Sequence, residues 1–277
     1  MTAMLKVNRL RKYLSQSISI ILIAPLLSLL PTVLVPSYLP SAEAVQYTWS
    51  NPSQPPSATW HALAMSSDGT RLVGGVYQGG IWTSNDSGAT WLNRSGAGNR
   101  NWTAVALSET SDVIYGVDNG GGIYRSPDFG VTWSQTSAPN CSYVGVATSG
   151  AANVSAACGG SSGKIYVNTN AGIGDVSTWT ISGGTSNLNF TELKSSSDGT
   201  KLIASVWGGG VYMATDGVFS YVNKMSSPLT TYLWSAVGIN SDGTKLIATS
   251  RGASGYGSGG NVYTSMDAGT TLSLIHI

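Results

Sequence analysis

Three copies of one pattern decide the fold of this chain: SNDSGATW at Ser84–Trp91, SPDFGVTW at Ser126–Trp133 and SMDAGTTL at Ser265–Leu272. They share Ser-x-Asp-x-Gly-x-Thr-Trp, except that the third copy ends in leucine. The aspartate carboxylate suits a tight turn because it can accept hydrogen bonds from nearby backbone N–H groups. The glycine tolerates positive φ, and Thr and Trp favour the start of a strand. Each copy therefore predicts a strand, a tight turn and a second strand, here named a serine–aspartate turn.

The turns recur inside a longer repeating unit. Trp60 and Trp102, which open the first two units, are separated by 42 residues, as are Trp91 and Trp133, which close them. Five units are visible: Trp60–Trp91, Asn101–Trp133, Asn140–Trp179, Asn189–Val222 and Leu233–Leu272. The turn is altered in the third unit and degraded in the fourth. A period of about 40–50 residues with four strands in each unit is typical of β-propeller blades.

The first unit shows how the four strands are assigned. We predict strands near Trp60–Met65, Arg71–Val76, Ile81–Ser84 and Thr90–Asn93. The hairpin between the first two is SSDGT, which returns as SSDGT at Ser196–Thr200 and as NSDGT at Asn240–Thr244. Asp-Gly between apolar runs is a strong hairpin signal. The predicted fold is all-β, a propeller of four-stranded blades, and the five units are expected to belong to a six- or seven-bladed ring.

The repeated turn resembles the Asp-box, or BNR repeat, of sialidase-like β-propellers, and the resemblance covers Trp60–Thr271. It implies that the positions shared by the three copies of the turn are structural. It also implies that the aspartates of the turn are neither metal ligands nor catalytic groups. These positions are Ser84, Asp86, Gly88, Trp91, Ser126, Asp128, Gly130, Trp133, Ser265, Asp267 and Gly269. Related Asp-box propellers include photosystem II assembly factors and sortilin-type receptors, which bind without catalysis.

Residues 1–44 differ from the rest of the chain. A basic start is followed by the apolar stretch Ile18–Val35, and Ala42-Glu43-Ala44 fits a small-x-small cleavage site. This pattern predicts a secretory signal peptide cut after Ala44, with an uncleaved membrane anchor as the alternative. The chain is therefore expected to be secreted, periplasmic or at the cell surface. Residues 45–59 form a lead-in, in which Tyr47–Trp49 is a candidate ring-closing strand.

Charge and cysteine content exclude some classes of partner. Four of the 14 basic residues and one of the 13 acidic residues lie in residues 1–44, which leaves 10 basic and 12 acidic residues in the remainder. Without a basic block we expect no nucleic-acid binding. With two cysteines and almost no histidine we expect neither a metal nor another cofactor. Cys141 and Cys158 flank a predicted hairpin, where a disulfide and two buried free thiols are both open.

The last six residues, Leu272–Ile277, break the third serine–aspartate turn one residue before its tryptophan. The hexapeptide resembles the translation of an adapter used in DNA library preparation. Our hypothesis is that the natural sequence departs from this one after Thr271; a divergent strand end is the alternative.

Propeller topology divides the connections between two faces. The SSDGT hairpins and serine–aspartate turns share one face, here named the turn face. The connections between second and third strands and between blades share the other, the loop face. Binding residues concentrate on loops held by a rigid scaffold. The candidate ligand-binding residues on the loop face are Tyr77, Gln78, Asp118, Asn119, Trp207, Arg251 and Tyr256.

No catalytic residue can be transferred from the sialidases by motif. Their substrate carboxylate requires three arginines, and Arg71, the first of five arginines after residue 45, falls on the turn face. We therefore expect an exported, non-catalytic propeller that binds a glycan, peptide or protein on its loop face. The alternative is a glycoside hydrolase of sialidase or xyloglucanase type whose catalytic residues lie partly in C-terminal blades missing from this sequence. In the xyloglucanase type, Asp118 would be one of two paired aspartates. Membrane contact is expected only through residues 1–44, if they are not cleaved.

Overall fold

The computed structural model describes residues 57–108, 112–148, 153–161, 163–171, 177–183, 185, 187–215, 222–223, 232–251 and 260–275. The chain divides into two compact units, Met1–Trp49 and Ser50–Ile277, and every described residue belongs to the second. The predicted signal peptide, the candidate strand Tyr47–Trp49 and the candidate ligand residue Tyr256 lie outside the described residues.

The described strands fall into five blades of four strands each. Blade 1 contains β1 (Trp60–Met65), β2 (Leu72–Gly79), β3 (Ile81–Ser84) and β4 (Leu92–Arg94). Blade 2 contains β5 (Arg100–Leu107), β6 (Ile114–Asp118), β7 (Ile123–Ser126) and β8 (Ser134–Gln135). Blade 3 contains β9 (Tyr143–Thr148), β10 (Val154–Cys158), β11 (Ile165–Asn168) and β12 (Thr180–Ile181).

Blades 4 and 5 repeat this order. Blade 4 contains β13 (Phe190–Ser195), β14 (Leu202–Gly209), β15 (Val211–Ala214) and β16 (Val222–Asn223). Blade 5 contains β17 (Tyr232–Ile239), β18 (Leu246–Ser250), β19 (Asn261–Ser265) and β20 (Ser273–Ile275). Within each blade, consecutive strands pair antiparallel. The fourth strand of blade 5, Ser273–Ile275, is exposed and lies within the hexapeptide that resembles an adapter translation.

The first strand of every blade carries a register shift directly after an aromatic residue, here named the opening aromatic: Trp60, Trp102, Tyr143, Phe190 or Trp234. The residue at the shift is His61, Thr103, Val144, Thr191 or Ser235, and all five line one central cavity of about 350 Å³. The five first strands therefore surround a common cavity. This arrangement of antiparallel blades is a β-propeller, as the repeat predicted.

Neighbouring blades are held together by buried apolar clusters. Each cluster contains the opening aromatic of one blade: Trp102, Tyr143, Phe190 and Trp234 are all fully buried. Trp102 packs with Val73 and Ile81 of blade 1, and Trp234 packs with Ile203 of blade 4. The second strands of blades 1 to 4 are buried on both faces for this reason, so their apolar runs do not alternate with polar residues.

The sequence placed the end of the second strand too early. The second strand of the first unit was predicted to end near Val76, but β2 continues to Gly79, and β14 likewise continues to Gly209. These extensions pair with the first strand of the next blade, Tyr77 with Asn101 and Trp207 with Leu233. The prediction failed because the partner strand belongs to a different repeat, which local turn chemistry does not reveal.

The serine–aspartate turns have one hydrogen-bond pattern. In the first, Asp86 accepts bonds from the Ser84 hydroxyl at 2.8 Å and from the Thr90 N–H at 2.8 Å. The Ser84 hydroxyl in turn accepts the Gly88 N–H at 2.9 Å. The turns at Ser126 and Ser265 repeat these contacts. The aspartates are therefore engaged in local backbone contacts on the turn face.

Acid should weaken the fold through these turn-face carboxylates. Hydrogen bonds from the side chain and then the N–H of Thr271 lower the pKa of Asp267 to about 2. The Ser66 hydroxyl, followed by the N–H of Thr70, lowers the pKa of Asp68 to about 2. A carboxyl whose folded pKa lies below its unfolded pKa of about 4 stabilises the fold above pH 4, and this contribution is lost as the pH falls towards 2.

We therefore expect the urea midpoint of unfolding to stay level from pH 7 to 5 and to fall between pH 4 and 2. Asp68→Asn combined with Asp267→Asn should make that fall shallower. The variant Asp112→Asn, outside the SSDGT hairpins and serine–aspartate turns, is the control. Equal acid sensitivity in the double variant and the native chain would show that these hydrogen bonds do not set the pH dependence.

Candidate functional site

Four of the predicted ligand residues occupy one equivalent position in different blades. Tyr77, Asn119, Trp207 and Arg251 each come directly after the last residue of a second strand that pairs with the first strand of the same blade, and Gly159 fills the same place in blade 3. Their backbone N–H groups donate to the carbonyl of the residue before the opening aromatic, at 2.8 to 3.0 Å in all five blades. The backbone at this position is therefore fixed, and the blades differ in the side chain presented to the loop face.

Three predicted residues meet in a depression between blades 1 and 2. Gln78, Asp118 and Asn119 line it together with residues that the sequence did not single out: Asn99, Arg100, Asn101 and Gly120. Asn99 lies in the link between the blades and Arg100 begins β5, so both are on the loop face by topology. That placement was the one signal in the sequence that could have identified them.

Arg100 is held in place before any ligand arrives. Its guanidinium carbon lies 4.1 Å from the centre of the Tyr124 ring, which is the geometry of a cation–π contact. Its Nε donates to the Ala97 carbonyl at 3.1 Å. Its Nη1 stands 3.9 Å from the Asp118 carboxylate. The guanidinium therefore keeps a defined orientation beside the depression.

Asp118 is the matching acceptor. One carboxylate oxygen accepts the Asn101 N–H at 3.1 Å, and the side chain is 14% exposed. The two contacts join the end of β6 to the start of β5. The Asp118 carboxylate can accept further hydrogen bonds. It lines the depression together with the amide side chains of Gln78 and Asn119.

Gln78 adopts an unusual backbone conformation at the rim. Its φ is +56°, while glycine occupies the equivalent position in three other blades, where Gly120, Gly160 and Gly208 have φ of +85°, +82° and +66°. A side chain at positive φ costs of order 1 kcal/mol relative to glycine. Because Gln78 is exposed, side-chain packing does not explain why glutamine, rather than glycine, occupies this position.

The other described residues of the predicted set, Tyr77, Trp207 and Arg251, are not among the residues that line the depression. Trp207 and Arg251 pair with each other across blades 4 and 5, with the guanidinium carbon 5.6 Å from the indole ring. Tyr77 lies against His61 of the central cavity, with ring centres 5.0 Å apart. The predicted set is thus divided among three places on the loop side of the propeller.

The acidic group in the central cavity is used to join blades. One oxygen of Glu192 accepts the Val237 N–H of blade 5 at 2.8 Å, and the other lies 3.2 Å from the Lys194 ammonium. The equivalent residues in the other blades are alanine or glycine: Ala62, Ala104, Gly145 and Ala236. We assign Glu192 to the blade interface.

Cys141 and Cys158 form a disulfide beside the depression. It joins the residues just before β9 to the end of β10. Cys141 also exchanges two backbone hydrogen bonds with blade 2, donating to Gly121 and accepting from Gly120, both at 3.0 Å. The bridge therefore anchors the blade 3 side of the Asn119–Gly121 loop.

Two further features concern metals and membranes. Among the residues that the structure describes, no group of three or more His, Cys, Asp or Glu side chains could hold a metal ion. Within those same ranges, no helix has both the length and the apolar character needed to span a membrane.

No protein-family model and no curated protein sequence matches the chain. Solved structures do match it as a fold. A GH74 xyloglucanase from Xanthomonas campestris aligns with TM-score 0.60 and 15% identity, over 79% of this chain and 38% of the xyloglucanase. YCF48 bound to D1 peptide aligns with TM-score 0.53 and 14% identity, over 78% of this chain and 66% of YCF48.

A third match is the Cps50 (Swd1) β-propeller domain of Myceliophteria thermophila, with TM-score 0.57 and 11% identity, over 79% of this chain and 72% of that domain. This chain spans only 31% to 38% of the length of the three GH74 enzymes that it matches. At these identities the likeness defines the β-propeller fold. The neighbours include both glycosidases and a peptide-bound protein, so the fold alone does not choose between catalysis and binding.

Proposed function

We propose that the protein is exported and binds a glycan, without catalysis, in the depression between blades 1 and 2. The observation that carries this proposal is the oriented Arg100 beside Asp118, surrounded by amide side chains from the adjacent blades. A sugar hydroxyl both donates and accepts hydrogen bonds. Amides offer both functions, Asp118 accepts and Arg100 donates, so the depression offers complementary groups to a hydroxyl-rich surface.

The competing reading is glycoside hydrolysis. Hydrolysis with either stereochemical outcome generally uses two carboxyl groups, about 5–5.5 Å or 6.5–9.5 Å apart across the scissile bond. Among its described lining residues the depression contains one carboxylate, that of Asp118, and it already bonds to the backbone of Asn101. This arrangement favours binding over hydrolysis at this site.

Binding is tested with the exported chain and defined probes. Neutral oligosaccharides from xyloglucan, an acidic sialyl-oligosaccharide and a short peptide would be titrated by calorimetry, and products would be sought by chromatography. We expect a neutral oligosaccharide to bind and to be recovered intact. Binding of the peptide alone would replace the glycan proposal, and cleavage of xyloglucan would replace the non-catalytic one.

Replacing Gln78 with glycine separates a role in binding from a role in folding. Gln78→Gly should weaken glycan binding about tenfold, the equivalent of one lost hydrogen bond, and should leave the unfolding temperature unchanged or higher because the strain is relieved. Ser87→Gly, at φ +58° on the turn face, relieves similar strain away from the depression and is the matched control. Unchanged binding in Gln78→Gly would show that the Gln78 amide does not bind the ligand.

Export is tested separately. The mature protein recovered from the periplasm or medium should begin at Val45 when its N-terminus is sequenced. A protein retained in the membrane with residues 1–44 attached would support the anchor alternative.

A further inference from the structure

The chain contains a single Asn-Gly dipeptide, Asn119-Gly120, and the fold places it in the depression between blades 1 and 2. Asparagine followed by glycine is especially prone to spontaneous deamidation, because glycine has no side chain to hinder attack by its own backbone nitrogen. Asn119 is half-buried and Gly120 is exposed, and a Cβ added to Gly120 would meet no atom within 4 Å. Water therefore reaches the dipeptide, and burial does not protect it.

Backbone hydrogen bonds hold the dipeptide instead. The N–H of Asn119 donates to the Asn101 carbonyl at 3.0 Å. The N–H of Gly120 donates to the Cys141 carbonyl, also at 3.0 Å, and the N–H of Cys141 donates to the Gly121 carbonyl at the same distance. The nitrogen that would attack the Asn119 side chain is thus engaged with a residue on the blade 3 side of the depression.

The disulfide fixes the acceptor of that hydrogen bond. Cys141 precedes β9, and its bond to Cys158 at the end of β10 ties it to blade 3. In blade 3 the equivalent nitrogen, that of Gly160, donates to the Asn189 side chain at 2.7 Å. The Gly120 nitrogen therefore depends on a cross-linked acceptor, whereas the Gly160 nitrogen does not.

We propose that Asn119 is a latent deamidation site that the Cys141–Cys158 disulfide protects. A dithiol reductant opens the disulfide by giving it two electrons and two protons, and becomes a disulfide itself. The Gly120 nitrogen, once released from the Cys141 carbonyl, attacks Cγ of Asn119. The new N–Cγ bond forms, the Cγ–Nδ2 bond breaks, and ammonia leaves with the proton of the Gly120 N–H. Water then opens the cyclic imide at either of its carbonyls, which gives aspartate or isoaspartate.

Deamidation would change the charge of the depression. Among its described lining residues, the charge of Arg100 balances that of Asp118. A carboxylate at position 119 leaves one negative charge in excess, directly beside Asp118, and like charges at this separation repel. This consequence for ligand affinity rests on the proposed glycan site, whereas the deamidation itself does not depend on that proposal.

The test follows deamidation by mass in the full chain. The native protein and the variant Cys141→Ala with Cys158→Ala are incubated in mildly alkaline buffer below their unfolding transitions. The tryptic peptide 101–125 is then fragmented to locate aspartate or isoaspartate. We expect deamidation at Asn119 to be roughly tenfold faster in the variant, which corresponds to about 1.4 kcal/mol of local opening free energy. Equal rates in the two proteins would overturn the proposal.

A second variant separates local protection from a general loss of stability. Trp234→Ala weakens the interface between blades 4 and 5, away from the depression, and should leave the rate at Asn119 unchanged. If Trp234→Ala accelerated deamidation as much as the cysteine variant does, global unfolding rather than the disulfide would control the site.

Hydrogen exchange makes the same comparison without any substitution. When reductant is added to the native chain, we expect exchange at the Gly120 amide to become roughly tenfold faster. The Arg251 amide, which donates to the Leu233 carbonyl in blade 5, should keep its protection. Unchanged exchange at Gly120 in the reduced chain would show that the disulfide does not hold this hydrogen bond, and would contradict the proposal.

Discussion

Trp102→Ala is expected to lower the free energy of unfolding by about 3–5 kcal/mol, as large aromatic truncations in cores do. Trp102 is fully buried between blades 1 and 2 and packs edge-on against Tyr124, with ring centres 5.4 Å apart. Its ring also fills the space above Gly116, where a Cβ would stand 2.9 Å from the indole. Alanine would lose these contacts and leave a cavity. Guanidinium unfolding followed by circular dichroism measures the loss.

Trp60→Ala is the matched control because it changes the same residue type at the same blade position. Trp60 is partly exposed and has no preceding described blade to pack against, so its loss should cost less than half as much. If both variants lost the same stability, the face of blade 1 would already be covered in solution. That result would identify a contact with Trp60 that the described residues do not provide.

The turns and the blade order could be predicted because their causes are local. In the SSDGT hairpins, Gly69, Gly199 and Gly243 have φ between +66° and +72°. The preceding aspartates accept the N–H of the following threonine at 2.8 to 3.0 Å. In the serine–aspartate turns, however, two residues adopt positive φ. Ser87 precedes Gly88 with φ of +58°, and only the glycine was expected.

The candidate site could be predicted only in part because its causes are not local. Gln78 and Asp118 were predicted because the sequence placed both between the second and third strands of their units, and the propeller topology brings these two segments together. Arg100 was missed because its role depends on Tyr124, 24 positions later, and on Asp118. Trp207 and Arg251 were predicted as ligand residues, but the sequence did not reveal that they contact each other. That contact forms only because blades 4 and 5 are adjacent.

Removing the disulfide should have the second large effect. Cys141→Ala combined with Cys158→Ala is expected to lower the free energy of unfolding by about 3 kcal/mol, the entropy that a cross-link of this span removes from the unfolded chain. The two cysteines are separated by 17 positions, and the bridge closes the hairpin of β9 and β10. Alanine is preferred to serine because Cys158 is buried and a hydroxyl there would need a partner.

A reductant provides the control, since it should destabilise the native chain by a similar amount and leave the double variant unchanged. Removing the disulfide should also alter the depression, because the backbone of Cys141 makes hydrogen bonds to Gly120 and Gly121 on its blade 3 side. Weaker glycan binding with an intact fold, measured below the unfolding transition, would place the disulfide in support of the ligand site. Lost stability with unchanged affinity would confine it to the scaffold, and equal stability with and without reductant would mean that the thiols are not bonded in solution.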